Sequence, residues 1–193
     1  MHKFSHVDIS LAVKRAVERE TGIRINTIGF VYGNLKPDIS IPLLRIPHFM
    51  HKSLQFVLSE ITELLKYDVN KISGCSMEFS KRLGIVIHYL SDFFCHVHDS
   101  EYHGSMIRHY FYEVKLFIYS RLNRHMFASF RYTRYPILSI TQASILNSVE
   151  KLHAKYRSKS PSFDRDIIYT LRMCTSLTMS ILAFCTSKKE AAA

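Results

Sequence analysis

Residues 88–113 read HYLSDFFCHVHDSEYHGSMIRHYFYE, and they hold five of the chain's eleven histidines and four of its sixteen acids. His88 and Asp92 are four apart, as are His109 and Glu113, so on helices each pair projects from one face. His96 and His98 lie between the pairs. Two histidine–carboxylate pairs at helical spacing, with a further histidine between them, form a metal-ligand pattern rather than a packing pattern. Upstream, Met77 to Val97 is apolar nearly all round, which predicts a central, buried helix. Its one polar interior stripe is Gly84, His88, Ser91 and Asp92. An ionised Asp in such a place is costly unless it is paired or bound to a cation. A hydrogen bond to His88 alone would meet that need. With His98, His109 and Glu113 following in turn, the metal reading explains more of the stretch.

The wider composition agrees with helices. The chain has 193 residues, enough for one domain (1–193) with a sizeable core, and 47% of them are hydrophobic. Six glycines and five prolines leave long stretches uninterrupted. The net charge of +10 and pI near 9.5 suit phosphate-bearing partners, whether nucleic acid, anionic lipid or a phosphorylated small molecule, and suit simple solubility equally. Cys75, Cys95, Cys174 and Cys185 form no C-x-x-C pair, so buried free thiols are expected and a cysteine zinc knuckle is not. The first ten residues, MHKFSHVDIS, have no apolar run behind them, so no signal peptide is read and a cytoplasmic location is expected. Ile167 to Cys185 is the most apolar long stretch. Its Arg172 and its Ser and Thr residues make it a core helix rather than a membrane span.

Within residues 2–22 a helix is expected from Asp8 as cap to Gly22 as stop, and another from Pro47 to about Lys66. Further helices should cover Met77–His98, His103–Leu122, Ser139–Arg157 and Phe163–Thr186, with Lys188–Ala193 frayed. Residues 23–46 read as irregular, with a short strand conceivable near 23–31. Within them Gly33-Asn34-Leu35-Lys36-Pro37-Asp38 sets Asp38 on a loop. The fold class is therefore all-α, a bundle of six to eight helices. No acid occurs between Glu113 and Glu150, where Lys115, Arg121, Arg124, Arg131 and Arg134 alternate with Phe127, Phe130, Tyr132 and Tyr135. Arg with aromatics can meet a headgroup, an anionic membrane surface or single-stranded nucleic acid, or can form a solvated rim over the core. There is no glycine-rich phosphate loop and no G-x-S-x-G elbow, which leaves kinase, dinucleotide-binding and serine-hydrolase readings unsupported.

At these residues the sequence resembles the zinc-dependent phospholipase C family, whose fold is shared with single-strand-specific zinc nucleases. That family carries H-x3-D on one helix, a histidine six residues later, and H-x3-E or H-x3-D on the next. Here these are His88, Asp92, His98, His109 and Glu113, and the spacing selects His98 over His96. Upstream, His6 in His6-Val7-Asp8-Ile9 matches an H-x-x-I element, and Asp38 matches the Asp of a G-x-x-x-P-D element. His48, directly after Pro47, matches a further ligand, with His51 as competitor. The resemblance implies two or three zinc ions. Asp38, His48, His88 and Asp92 would hold one, and His98, His109 and Glu113 a second. Asp92 would bridge to a third that His6 also binds. It further implies phosphodiester hydrolysis with Asp38 beside the attacking water. The substrate would be a phospholipid, cleaved to diacylglycerol and a phosphorylated headgroup. Nucleic acid on the same scaffold is the alternative, and a metal-binding homologue without turnover is the third reading. In secreted members an N-terminal Trp completes the third site. This chain has no Trp, so Met1 or His2 would have to take its place.

Overall fold

The computed structural model describes residues 1–70, 72–128, 137 and 140–190. Nine α-helices lie among them: α1 Lys3–Thr21, α2 Thr27–Leu35, α3 Ile41–Leu44, α4 Met50–Leu64, α5 Met77–Phe93, α6 Met106–Leu122, α7 His125–Ala128, α8 Gln142–Arg157 and α9 Phe163–Glu190. Two 3-10 turns, Lys36–Asp38 and His96–His98, interrupt the loops. No strand occurs among the described residues, only an isolated bridge between Asn70 and Gly74. The fold is all-α, as the long apolar-periodic stretches predict. It exceeds the expected six to eight helices because α2 and the single turns α3 and α7 are added.

Helix α5 is the axis. The Ser76 hydroxyl accepts from the Phe79 N–H at its start, and from Phe79 onward its apolar residues, together with His88, Ser91 and Asp92, are buried. Helices α1, α2, α4 and α9 surround it. Each Leu, Ile or Phe it buries stabilises the fold by about 1.5–3 kcal/mol. The closest neighbour is α2, and glycines make that approach possible. A Cβ on Gly33 would lie 2.7 Å from the Lys81 carbonyl carbon, and one on Gly84 would lie 2.7 Å from the Asn34 nitrogen. One on Gly29 would stand 2.5 Å from the Met77 carbonyl oxygen. Only hydrogen at these positions lets the two backbones touch. Helix α9 is long and apolar enough to cross a membrane by length and composition, yet Leu171, Cys174, Leu177, Ile181 and Leu182 are buried in the core.

Several boundaries differ from expectation for identifiable reasons. Helix α1 starts at Lys3, capped by the His2 ring, so His6 sits inside the helix and Asp8 is not its cap. Asp8 instead pairs with Arg121 at 3.2 Å. Gly22 does end the helix, at φ 71°. Residues 27–35 are helical rather than irregular or extended. Asn26 caps them through the Gly29 N–H, and the glycines that look like loop formers are helix-packing surfaces. Pro47 is not a first-turn proline, because α4 begins three residues later at Met50. Helix α5 stops at Phe93, short of His98, and α6 begins at Met106 behind a Ser105 cap rather than at His103. Thr141 caps α8, which therefore starts after Ser139. The backbone of α9 runs past Thr186 to Glu190, and residues 191–193 of the expected frayed end lie outside the described residues. So do Phe130, Arg131, Tyr132, Arg134 and Tyr135 of the Arg–aromatic segment.

Candidate metal centre

Three layers of local structure bring the polar side chains together. Helix α1 places His6 fully buried, its ring stacked on His88 with centroids 4.0 Å apart. The Asn34 amide donates to Ser10 Oγ at 2.6 Å, and Ser10 donates to the His6 carbonyl at 2.7 Å, which ties α1 to the end of α2. The 3-10 turn after α2, with Pro37 buried, then carries Asp38 to the same cleft. On the far side, Asp166 of α9 accepts from the His96 N–H at 3.0 Å and from the Tyr112 hydroxyl at 2.8 Å. That carboxylate joins the turn bearing His98 to the helix bearing His109 and Glu113.

The donor atoms form three adjoining groups: His6, His88 and Asp92; Asp38, His48 and His88; and His98, His109 and Glu113. Within each group the donor atoms lie within 4.8 Å of one another. Asp92 links all three. Its Oδ1 is 3.4 Å from His6 Nε2 and 3.6 Å from His98 Nε2. Its Oδ2 is 2.7 Å from His48 Nδ1 and 3.3 Å from His88 Nε2. Asp38 Oδ1 lies 3.7 Å from His88 Nε2, and Glu113 Oε1 lies 3.1 Å and 3.0 Å from His98 and His109 Nε2. The Met1 amine stands in the middle, 2.6 Å from Asp92 Oδ1 and 2.8 Å from both Glu113 Oε1 and His98 Nε2.

The charges follow from these neighbours. Burial alone would raise the Asp92 carboxyl. The Met1 ammonium and the surrounding histidines outweigh it and hold the group well below the usual carboxylate range. Glu113 behaves alike: burial opposes ionisation, and the ammonium with His109 and His98 restores it. Burial keeps His88 neutral, with its pKa pushed well below the ordinary imidazole value, and brings His98 down to about 4. His48 runs the other way, because its hydrogen bond to Asp92 overcomes the burial penalty. Met1 rises to about 12, since Asp92 and Glu113 together outweigh the desolvation that would lower it.

One contact decides what the site accepts. His88 Nδ1 lies 2.7 Å from the Asn34 carbonyl oxygen, which can only accept, so this nitrogen carries the proton. In neutral His88 the lone pair therefore sits on Nε2, aimed at the oxygens of Asp38 and Asp92. That nitrogen also lies 3.3 Å from His48 Nδ1, and a cation between His88 and the two carboxylates would satisfy all of these groups together. A backbone carbonyl holding the far nitrogen of an imidazole is the usual outer support of a metal-ligating histidine. His6 is buried with neither ring nitrogen hydrogen-bonded, and His98 Nδ1 is also unpartnered. The His88–Asp92 separation of 3.3 Å matches a tetrahedral edge of about 3.3 Å for ligands about 2.0 Å from zinc, while His48 stands closer to Asp92, at 2.7 Å. A donor set of nitrogen and oxygen without cysteine suits catalytic zinc. These residues fit the metal that the sequence resemblance implies.

All eight side chains named from sequence, His6, Asp38, His48, His88, Asp92, His98, His109 and Glu113, meet at this one place. The competitors do not. The His96 ring packs between Tyr102 and Tyr112, and His51 lies beside Phe49. His2 caps α1 and lines the mouth of the cleft, while the Met1 amine occupies its centre. The Asn34 carbonyl and the Asp166 carboxylate were not anticipated. An acid inside the apolar stretch from Phe163 was the available signal for the second. The mouth is a cleft of about 450 Å³, lined by Lys3, Asp38, His48, Tyr110 and Glu113 among others. The model of one family, zinc-dependent phospholipase C, matches residues 5–163. No significant match is found among the curated proteins or among the solved structures. The matched span runs from just before His6 to the start of α9 and includes every donor side chain described above, so the chain belongs to the zinc-dependent phospholipase C family.

Proposed function

We propose that the protein is a zinc-dependent phosphodiesterase that hydrolyses a phospholipid to diacylglycerol and a phosphorylated headgroup. The observation that carries this reading is that Asp92, a member of one donor group, lies 2.7 Å from His48 and 3.6 Å from His98 of the two adjoining groups, beside an open cleft. Asp38, His48, His88 and Asp92 would hold one ion, His98, His109 and Glu113 a second, and Asp92 with His6 a third. Zinc bound there supplies positive charge against the phosphoryl oxygens and makes water acidic enough to serve as a nucleophile near neutral pH.

The chain's own groups do the rest. Asp38 lines the cleft mouth, where it can orient the attacking water and take its proton. A new bond forms from the water oxygen to phosphorus, the bond from phosphorus to the glycerol oxygen breaks, and the departing oxygen takes up the proton. The Lys3 ammonium at the mouth can pair with the phosphate as it enters. His88, fixed by the Asn34 carbonyl, and Asp92, buried on α5, keep the donors in register. Met1 would stand in for the family's N-terminal Trp, its amine lying 2.6 Å from Asp92 and 2.8 Å from Glu113 and His98.

A nuclease on the same scaffold is the second reading, favoured by the net charge of +10 and by Arg15, Arg121 and Arg124 lining one shallow cleft. Elemental analysis of purified protein, then turnover on a soluble short-chain phosphatidylcholine and on a single-stranded oligonucleotide, tests both. Zinc with hydrolysis of the lipid alone supports the first reading, and hydrolysis of the oligonucleotide alone supports the second. Zinc binding with no turnover of either would leave a metal-binding protein and overturn both.

A further inference from the structure

Helix α6 is polar on its inner side and apolar on its outer side, the reverse of an ordinary surface helix. His109 and Glu113 turn inward to the donor cluster, and Leu116 and Ser120 are buried. Outward, Met106 is 82% exposed, Ile107 68%, Phe111 56% and Leu122 79%, with Tyr110 and Ile118 also more than half exposed. These positions fall on one broad stripe at helical spacing. Phe4 of α1 extends the stripe, packing on Phe117 with ring centroids 5.7 Å apart while remaining 54% exposed. A contiguous apolar face of this kind marks an interaction site.

The charges say what it meets. The exposed face of α6 has no acid, because Glu113 is the helix's single acid and points inward. Arg108 and Lys115, both exposed, run along one edge, and Lys3 lies at the adjoining cleft mouth. Apolar residues bordered by cations fit the boundary of a bilayer containing anionic lipid. The face is also continuous with the candidate metal centre, since Tyr110 belongs to both the stripe and the cleft lining.

We propose that the outer face of α6, with Phe4, seats the protein on an anionic lipid surface and turns the cleft mouth toward it. The proposal rests on the phospholipase reading for its purpose, but binding is measured apart from turnover. Wild-type protein is sedimented with vesicles of phosphatidylcholine and with vesicles of equal parts phosphatidylcholine and phosphatidylglycerol, and soluble short-chain phosphatidylcholine serves as the monomeric substrate. One variant combines Ile107→Ser, Phe111→Ser and Ile118→Ser; a second combines Arg108→Glu and Lys115→Glu. All five positions are exposed and none touches the donor cluster. Wild type should prefer the mixed vesicles by about tenfold or more, and each variant should lose about tenfold or more of that binding. Both should retain wild-type turnover of the soluble substrate. Variants that bind mixed vesicles like wild type, or a wild type that ignores them, would overturn the proposal. So would a lipid-free wild-type dimer that the triple serine variant dissolves, because the face would then belong to a second copy. If vesicle binding behaves as expected while no substrate is hydrolysed, docking stands and the hydrolase reading falls.

Discussion

Replacing Gly33 by Ala tests whether the α2–α5 contact builds the metal centre. The new Cβ would lie 2.7 Å from the Lys81 carbonyl carbon and 2.9 Å from its Cα. These are backbone atoms, so no rotamer change can relieve the overlap, and the two helices must separate by roughly an ångström. Overpacking of this sort costs about 1–3 kcal/mol. The gain from replacing a helical glycine offsets about 0.5–1 kcal/mol of it. The next residue carries the carbonyl that holds His88 Nδ1 at 2.7 Å, and loss of a buried hydrogen bond adds about 1–3 kcal/mol. The net destabilisation should therefore be about 2–4 kcal/mol, read as a lower urea midpoint of metal-free protein at unchanged slope. Because the carbonyl supports a ligand, zinc affinity should fall about 10–100-fold. Gly22→Ala is the control. It has φ 71° with no atom within 4 Å of the new Cβ, so it should cost about 1–2 kcal/mol of backbone strain and leave zinc affinity untouched. A Gly33→Ala protein with wild-type midpoint and wild-type zinc affinity would show that the helices are not locked as described and that His88 does not depend on their approach.

Asp38→Asn should lower phosphodiester turnover by about a hundredfold or more, measured on soluble substrate, while zinc content falls by at most one ion. Asp92→Asn should lose zinc and stability together, by about 3–5 kcal/mol on denaturation of the metal-free protein, because a buried ammonium and His48 lose their partner. Chelation of the wild type should lower the melting temperature, and re-added zinc should restore it in a concentration-dependent way. Acid should destabilise the metal-free protein. The unfolded chain takes up the His98 proton at the ordinary imidazole value of about 6.5 and the folded chain only at about 4, so falling pH in that window favours unfolding. Asp92 and Glu113, whose folded pKa values are depressed, extend the loss of stability to lower pH, and melting curves across the range check both effects.

What could be read from sequence, and what could not, divides along physical lines. His88 with Asp92 and His109 with Glu113 were legible because four-residue spacing on a helix fixes a shared face whatever else the fold does. His98 against His96 was not fixed by periodicity. Helix α5 ends at Phe93, and the turn that follows is set by Asp166, seventy residues away, through the His96 N–H. Only the family spacing chose between the two histidines. His48 against His51 was open for the same reason, since α4 begins at Met50 rather than at Pro47. Helix α2 was hidden because Gly29 and Gly33 lower helix propensity, and their compensation lies in α5, which no local window contains. The Asn34 carbonyl was out of reach altogether. Every residue has one, and only the approach that the glycines permit makes this one a support for His88. Side-chain pattern thus named the candidate donors that the structure brings together, while backbone contacts between distant segments set how they are aimed. The aim bears on whether the cluster is a hydrogen-bond network or a metal site: with its proton held on Nδ1, His88 presents a lone pair to Asp38, Asp92 and His48, where a cation would satisfy them together.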